Sequence, residues 1–156
     1  MIIDFRLRPP FKGFRSTLMW DVERTKTVNT RRGYTPSESI CNASMESLFS
    51  EMKQTGITLG VAAGRDPQST IGGIPNEEIV ELQRTHPDYF VGCPSVNTMD
   101  PKRAADEIDR YALEFGAKGI VVEPGVAPTP LYPSDSSLFP IYEQCALRNV
   151  AVLVMG

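Results

Sequence analysis

Near the amino terminus, Asp4-Phe5-Arg6-Leu7-Arg8 places two guanidinium groups two residues apart at the end of an apolar run. A strand alternates its faces with period two, so Arg6 and Arg8 share a face with Ile2 and Asp4, while Ile3, Phe5 and Leu7 line the other. A guanidinium only donates hydrogen bonds, stays protonated and presents a planar fork that matches a carboxylate or phosphate. Arg65, Asn97 and Glu123 also follow apolar runs further along the chain. Two readings of this set are open. In one, the arginine forks bind a substrate carboxylate or phosphate and Glu123 is the general base. In the other, Arg6 or Arg8 pairs with Glu123 or Asp4 as a structural ion pair.

The elements that must position these residues follow a single repeating pattern. Ser44 is suited to cap a helix whose Met45, Leu48, Phe49 and Met52 recur at helical spacing, with Gly56 ending it before the apolar "GITLGVAAG". Asn76 is expected to cap "NEEIVELQRTH", which Pro87 closes ahead of "YFVGCPSV". Asp100-Pro101 reads as an N-cap followed by proline at the first helical position, with Ala105, Ile108, Ala112 and Phe115 on one face and Gly116 as the stop. "GIVVE" follows. Ser137 or a neighbour then caps "LFPIYEQCALRN", and "VAVLVM" is the fifth strand. Alternation of this kind, in units of roughly 30–35 residues, means parallel strands with right-handed helical crossovers.

Doubly wound sheets and barrels share that alternation. A dinucleotide-binding turn needs glycines after strand 1, where Arg8-Pro9-Pro10 offers none, and there is no GK[ST] phosphate loop. In either architecture Arg6, Arg8, Arg65, Asn97 and Glu123 end strands 1 to 4 at the carboxyl rim, where α/β proteins bind ligands. Segment 9–43 joins strand 1 to the first core helix at that same rim. Its length and its aromatics, Phe11, Phe14, Trp20 and Tyr34, predict a lid-like insertion.

Charge sharpens this placement. Residues 5–43 carry a net +5, which leaves −8 for the remainder of a chain whose total is −3. A basic segment on an acidic body points to a local anion site and to a small anionic substrate, with no nucleic-acid surface. No apolar run is long enough to cross a bilayer and the first residues do not read as a signal peptide. Cys41, Cys93 and Cys145 are odd in number and widely spaced, as in reduced cytoplasmic proteins, and Cys93 and Cys145 sit among apolar neighbours as core residues do.

The wording of the chain is also familiar. "MIIDFRLR" resembles the "IIDxHxH" first strand of the amidohydrolase superfamily, in the branch that includes aminocarboxymuconate-semialdehyde decarboxylase. "HPDYFVGCPSVNTMDP", "GAKGIVVEPG" and "LYPSDSSLFPIYEQCALRNVAVLVMG" are similar to later passages of that branch in order, spacing and turn residues. The resemblance implies a TIM-type (β/α)8 barrel, of which residues 1–156 supply about the first five strands, with 9–43 inserted. It implies a hydrolase or decarboxylase acting on a small anionic substrate with the help of a divalent metal such as zinc, and a homo-oligomer. The histidine ligands of the family's first strand fall on Arg6 and Arg8, the strand-4 position falls near Val121 and Glu123, and the histidine after strand 5 falls on Met155. The only histidine, His86, precedes strand 3 at the opposite end. Arginine cannot ligate a cation, so no metal site is expected within these residues. A metal-free relative that binds an anion without chemistry is the alternative. Five strands leave strands 1 and 5 with open edges, so further strands are expected to complete the fold.

Overall fold

Local capping chemistry sets most of the helix boundaries. The computed structural model describes residues 1–66, 69 and 72–155. Strand β1 (Ile2–Asp4) is followed by two 3-10 turns, Lys12–Ser16 and Leu18–Trp20, and by helices α1 (Val22–Arg31), α2 (Glu38–Asn42) and α3 (Met45–Thr55). Then come β2 (Ile57–Ala63), α4 (Asn76–Thr85), β3 (Phe90–Cys93), α5 (Pro101–Glu114), β4 (Gly119–Val122), α6 (Phe139–Leu147) and β5 (Ala151–Val154). The Ser44 hydroxyl accepts from the Ser47 N–H at the start of α3, and Gly56 closes that helix in the left-handed region at φ 73°. The Asp100 carboxylate accepts from the Arg103 N–H, with Pro101 at the first helical position of α5.

One expected cap differs. Pro75, not Asn76, precedes α4. Asn76 instead turns its amide inward, donating to the Ser95 carbonyl at 2.7 Å and accepting from the Ser95 N–H at 2.9 Å. Asp135 takes the cap expected near Ser137, accepting from the Ser137 N–H and hydroxyl ahead of the 3-10 turn Ser136–Leu138 that leads into α6.

All strand pairings are parallel and consecutive. β2 lies between β1 and β3, and β4 pairs with β5. Just past the end of β3, Ser95 bridges Val121, with the Val121 N–H on the Pro94 carbonyl at 2.8 Å, so β4 follows β3. The order 1-2-3-4-5 is that of a barrel wall and excludes a doubly wound sheet, in which strand 1 is internal.

Period-two alternation then sorts the side chains. Val61, Ala63, Cys93, Val121 and Leu153 form one buried cluster on the inner face. Ala62 and Phe90 pack outward with Leu48, Met52, Ile79 and Leu82 of the covering helices, while Ile120 and Val122 pack with Ile108, Tyr111, Ile141 and Cys145. Cys93 and Cys145 are buried free thiols and Cys41 is exposed.

Segment 9–43 is largely helical and is fastened at its beginning. Phe14 is fully buried among Leu48, Met52, Ile79 and Phe90. The Gly13 N–H donates to Glu78 and Lys12 pairs with Glu81, both on α4. Asp21 caps α1, yet no residue of α1 is buried. The Ser39 N–H and hydroxyl of α2 donate to the Glu51 carboxylate of α3 at 2.9 and 2.6 Å, tying the segment back to the helical layer.

Candidate anion-binding site

Strand β1 is shorter than its apolar pattern implies. It stops at Asp4, whose carboxylate accepts from the Arg6 N–H across a turn, and Ile3 and Phe5 are exposed. Leu7 regains contact with β2 through its N–H to the Val61 carbonyl at 3.1 Å. Its side chain crosses Gly60 so closely that a Cβ there would lie 2.9 Å from the Leu7 Cβ. Only glycine allows this approach. The turn at Phe5–Arg6 means that Arg6 and Arg8 are not strand neighbours on one pleat, but both still line a cavity of about 670 Å³ with Arg65, Ser16, Leu18 and Met19.

The three arginines differ in their surroundings. Arg6 is exposed, while Arg8 and Arg65 are 8% and 7% accessible. Arg65 and Glu123, which lie just beyond β2 and β4, form a buried ion pair with Nε to Oε2 at 3.2 Å. The structural pair expected of Arg6 or Arg8 is thus made by Arg65. Arg8 Nη2 is buried with no hydrogen-bond partner among the described residues. Burial first, then the Arg65 and Arg6 charges, lower the Arg8 guanidinium to about 10, with Glu123 opposing. It is therefore still a cation at neutral pH, held in a place where its charge is costly. Asn97 is seated elsewhere, in a separate cavity with Glu77, Arg103, Glu107 and Arg110, and its Oδ1 accepts from the Met99 N–H.

Ser16, Leu18 and Met19 were not singled out from the sequence. Their only signal was membership of segment 9–43, whose path over the rim is set by the burial of Phe14.

Residues 41–156 match the family model Amidohydro_2, described as amidohydrolase. The chain belongs to the amidohydrolase family. Among curated proteins, this amidohydrolase chain is 32% identical over 79 residues to 2-amino-3-carboxymuconate-6-semialdehyde decarboxylase of Dictyostelium discoideum, covering 51% of the chain and 21% of that protein. An uncharacterized TIM-barrel protein from Bordetella bronchiseptica superposes with TM-score 0.87 at 33% identity, covering 99% of the chain and 54% of the other. The 5-carboxyvanillate decarboxylase of Novosphingobium aromaticivorans, complexed with manganese and 4-hydroxy-3-methoxy-5-nitrobenzoic acid, shares the fold at TM-score 0.64 and 19% identity, covering 99% and 49%. The amidohydrolase chain thus spans about half the length of these barrels, and less of the curated decarboxylase.

The donors here do not fit the divalent metal that the family resemblance implies. At the positions where the resemblance would place ligands stand Arg6 and Arg8, which only donate, Val121 and Glu123, of which the first is buried in the inner cluster and the second is paired with Arg65, and Met155, which packs against that cluster. Among the described residues no three His, Cys, Asp or Glu side chains converge. His86 lies ahead of β3 between Phe11, Phe49 and Phe90, with its ring 5.2 Å from that of Phe49.

Proposed function

We propose that the complete protein is an enzyme, a decarboxylase or hydrolase of a small anionic molecule, with Arg6, Arg8 and Arg65 as its anion-binding residues. The observation that carries this is Arg8, a buried cation with an unpartnered Nη2 beside two further guanidinium groups. One carboxylate, Glu123, faces three positive charges. A ligand carboxylate or phosphate would supply both the missing charge and the missing acceptor.

The similarity to a curated decarboxylase favours loss of carbon dioxide over hydrolysis. That reaction leaves an electron pair on carbon, so catalysis needs stabilisation of charge that moves away from the departing carboxylate. Guanidinium forks on that carboxylate would hold its charge in place and slow the step. The arginines therefore suit an anionic group that the substrate keeps. Glu123 acts first as a positioning residue that aims Arg65, and it can take a proton as the proposed general base only when the ligand draws Arg65 from it. The second reading, an anion-binding relative without chemistry, rests on Arg6 and Arg8 standing where the resemblance places metal-ligating histidines, since a guanidinium offers no lone pair to a cation.

In the full-length protein, Arg8→Met should weaken binding of small carboxylates by about tenfold or more, as expected for loss of a charge-assisted hydrogen bond of about 1.5–3 kcal/mol. Melting temperature should not fall, because an unsatisfied buried cation is removed. Calorimetric titration with melting curves checks both, and unchanged affinity or an unfolded variant would show Arg8 to be structural.

A further inference from the structure

The Asn76 amide both donates to and accepts from the backbone of Ser95, so the side chain stands in for a neighbouring strand at that residue. Two residues before Asn76, the Ile74 N–H donates to the Arg65 carbonyl at 3.0 Å. On the other side, the Ser95 hydroxyl and the Val96 N–H both donate to the Val121 carbonyl at 3.2 Å. Two residues past Val121 stands Glu123, whose Oε2 accepts from Arg65 Nε. These links close a ring that runs from Arg65 through Ile74, Asn76, Ser95, Val121 and Glu123 back to Arg65.

Every member of the ring is buried. A buried ion pair holds only where its geometry is well supported, because both charges have left water. Asn76 supplies two of the supporting bonds from one uncharged group. A carboxylate there could not donate and an apolar side chain could do neither, and each would leave a buried backbone group of Ser95 unmet. What the ring decides is the partner of Glu123, whose charge acts on Arg8 as well as on Arg65. Held in place, the carboxylate lies on Arg65, and Arg8 Nη2 keeps no partner among the described residues. Released, it can move toward Arg8 and occupy the donor that an incoming anion needs.

We propose that Asn76 is a positioning residue for the anion site, tying the chain beyond β2 to the ends of β3 and β4 so that Glu123 stays on Arg65 and Arg8 stays open to a ligand. This rests on the reading of the arginine cavity as an anion site. Asn76 lines the cavity that holds Asn97 and Glu77, not the arginine cavity, so it acts through the ring without touching the anion.

The test is a double-mutant cycle in the full-length protein, with inorganic phosphate as the probe and calorimetry as the readout. Asn76→Ala should weaken phosphate binding about tenfold, the effect of losing one hydrogen bond from a charged donor. In a Glu123→Gln background no carboxylate remains to move onto Arg8, and there Asn76→Ala should leave phosphate affinity unchanged. Asn76→Ser, whose hydroxyl can keep one of the two bonds, carries the same pair of expectations at smaller size and decides the matter where Asn76→Ala does not fold. Equal weakening in both backgrounds, or no weakening in either, would overturn the positioning role of Asn76 and leave the arginine site standing. Absence of phosphate binding, or binding that Arg8→Met leaves unchanged, would overturn both.

Discussion

The two polar cavities at the carboxyl ends of the strands are built from similar residues to opposite effect. One sets Arg6, Arg8 and Arg65 against Glu123. The other, about 180 Å³, sets Arg103 and Arg110 against Asp66, Glu77 and Glu107. In the second, charges meet their opposites: Arg103 Nε lies 3.0 Å from Glu107, Arg110 lies 3.7 Å from Glu77, and the Tyr111 hydroxyl also reaches Glu77. In the first, among the described residues, only Arg65 has a side-chain ion pair. A cation that already sits beside a carboxylate needs no anion from outside, whereas a buried cation without one is held there only by surrounding packing and gains from a ligand of the other sign. The same residue types therefore mean structure in one place and, in the function proposed above, a site in the other.

The comparison is broken most severely at Glu123. Glu123→Leu in the full-length protein leaves Arg65 buried without its partner, and loss of about 3–5 kcal/mol is expected in denaturant unfolding. Glu123→Gln, which keeps an acceptor of the same shape, should cost less. Equal stability of Glu123→Leu and the unmodified protein would mean that Arg65 escapes to solvent.

Asn97 sharpens the contrast. Its placement with Glu77 and Glu107 predicts that Asn97→Ala leaves the affinity for small carboxylates unchanged. Loss of the bond from the Met99 N–H alone should cost the variant about 0.5–1.5 kcal/mol of stability. A calorimetric loss of anion binding would return Asn97 to the substrate-binding set.

The smallest effect is pH-dependent and belongs to Glu107. Burial is the largest influence on this carboxyl and raises it above the ordinary value of 4.5, with the Arg103 hydrogen bond opposing. The folded state then binds its proton more tightly than the unfolded chain, so the contribution of Glu107 is most favourable in acid. It declines as pH rises through 4.5 to the folded value. Glu107→Gln should flatten that part of the stability profile measured by thermal melts from acid to neutral pH. An unaltered slope would show that Glu107 titrates as if exposed.

Much of the fold was legible in local chemistry. Ser44, Gly56 and Asp100-Pro101 work through bonds to residues three or four positions away, and these form whatever the rest of the chain does. The apolar runs and their spacing by helices likewise required parallel strands. Asn76 misled for the complementary reason: its amide can cap a helix or clamp a distant carbonyl, and the approach of Ser95, nineteen residues on, chose the clamp.

The candidate site divides along the same line. The sequence by itself determined that Arg6, Arg8, Arg65 and Glu123 would gather at one rim, because strand ends in a consecutive parallel sheet are neighbours by construction. It also determined the surplus of positive charge in residues 5–43. Only the tertiary structure decided which arginine would take the single carboxylate and which would be left with an unmet donor, and only it sent Asn97 to another cavity. Those outcomes depend on a turn at Phe5–Arg6, on Leu7 packing over Gly60 and on Phe14 buried between helices. The turn is local, but the other two are contacts between residues far apart in the chain, whose energy exists only once the surrounding elements have packed.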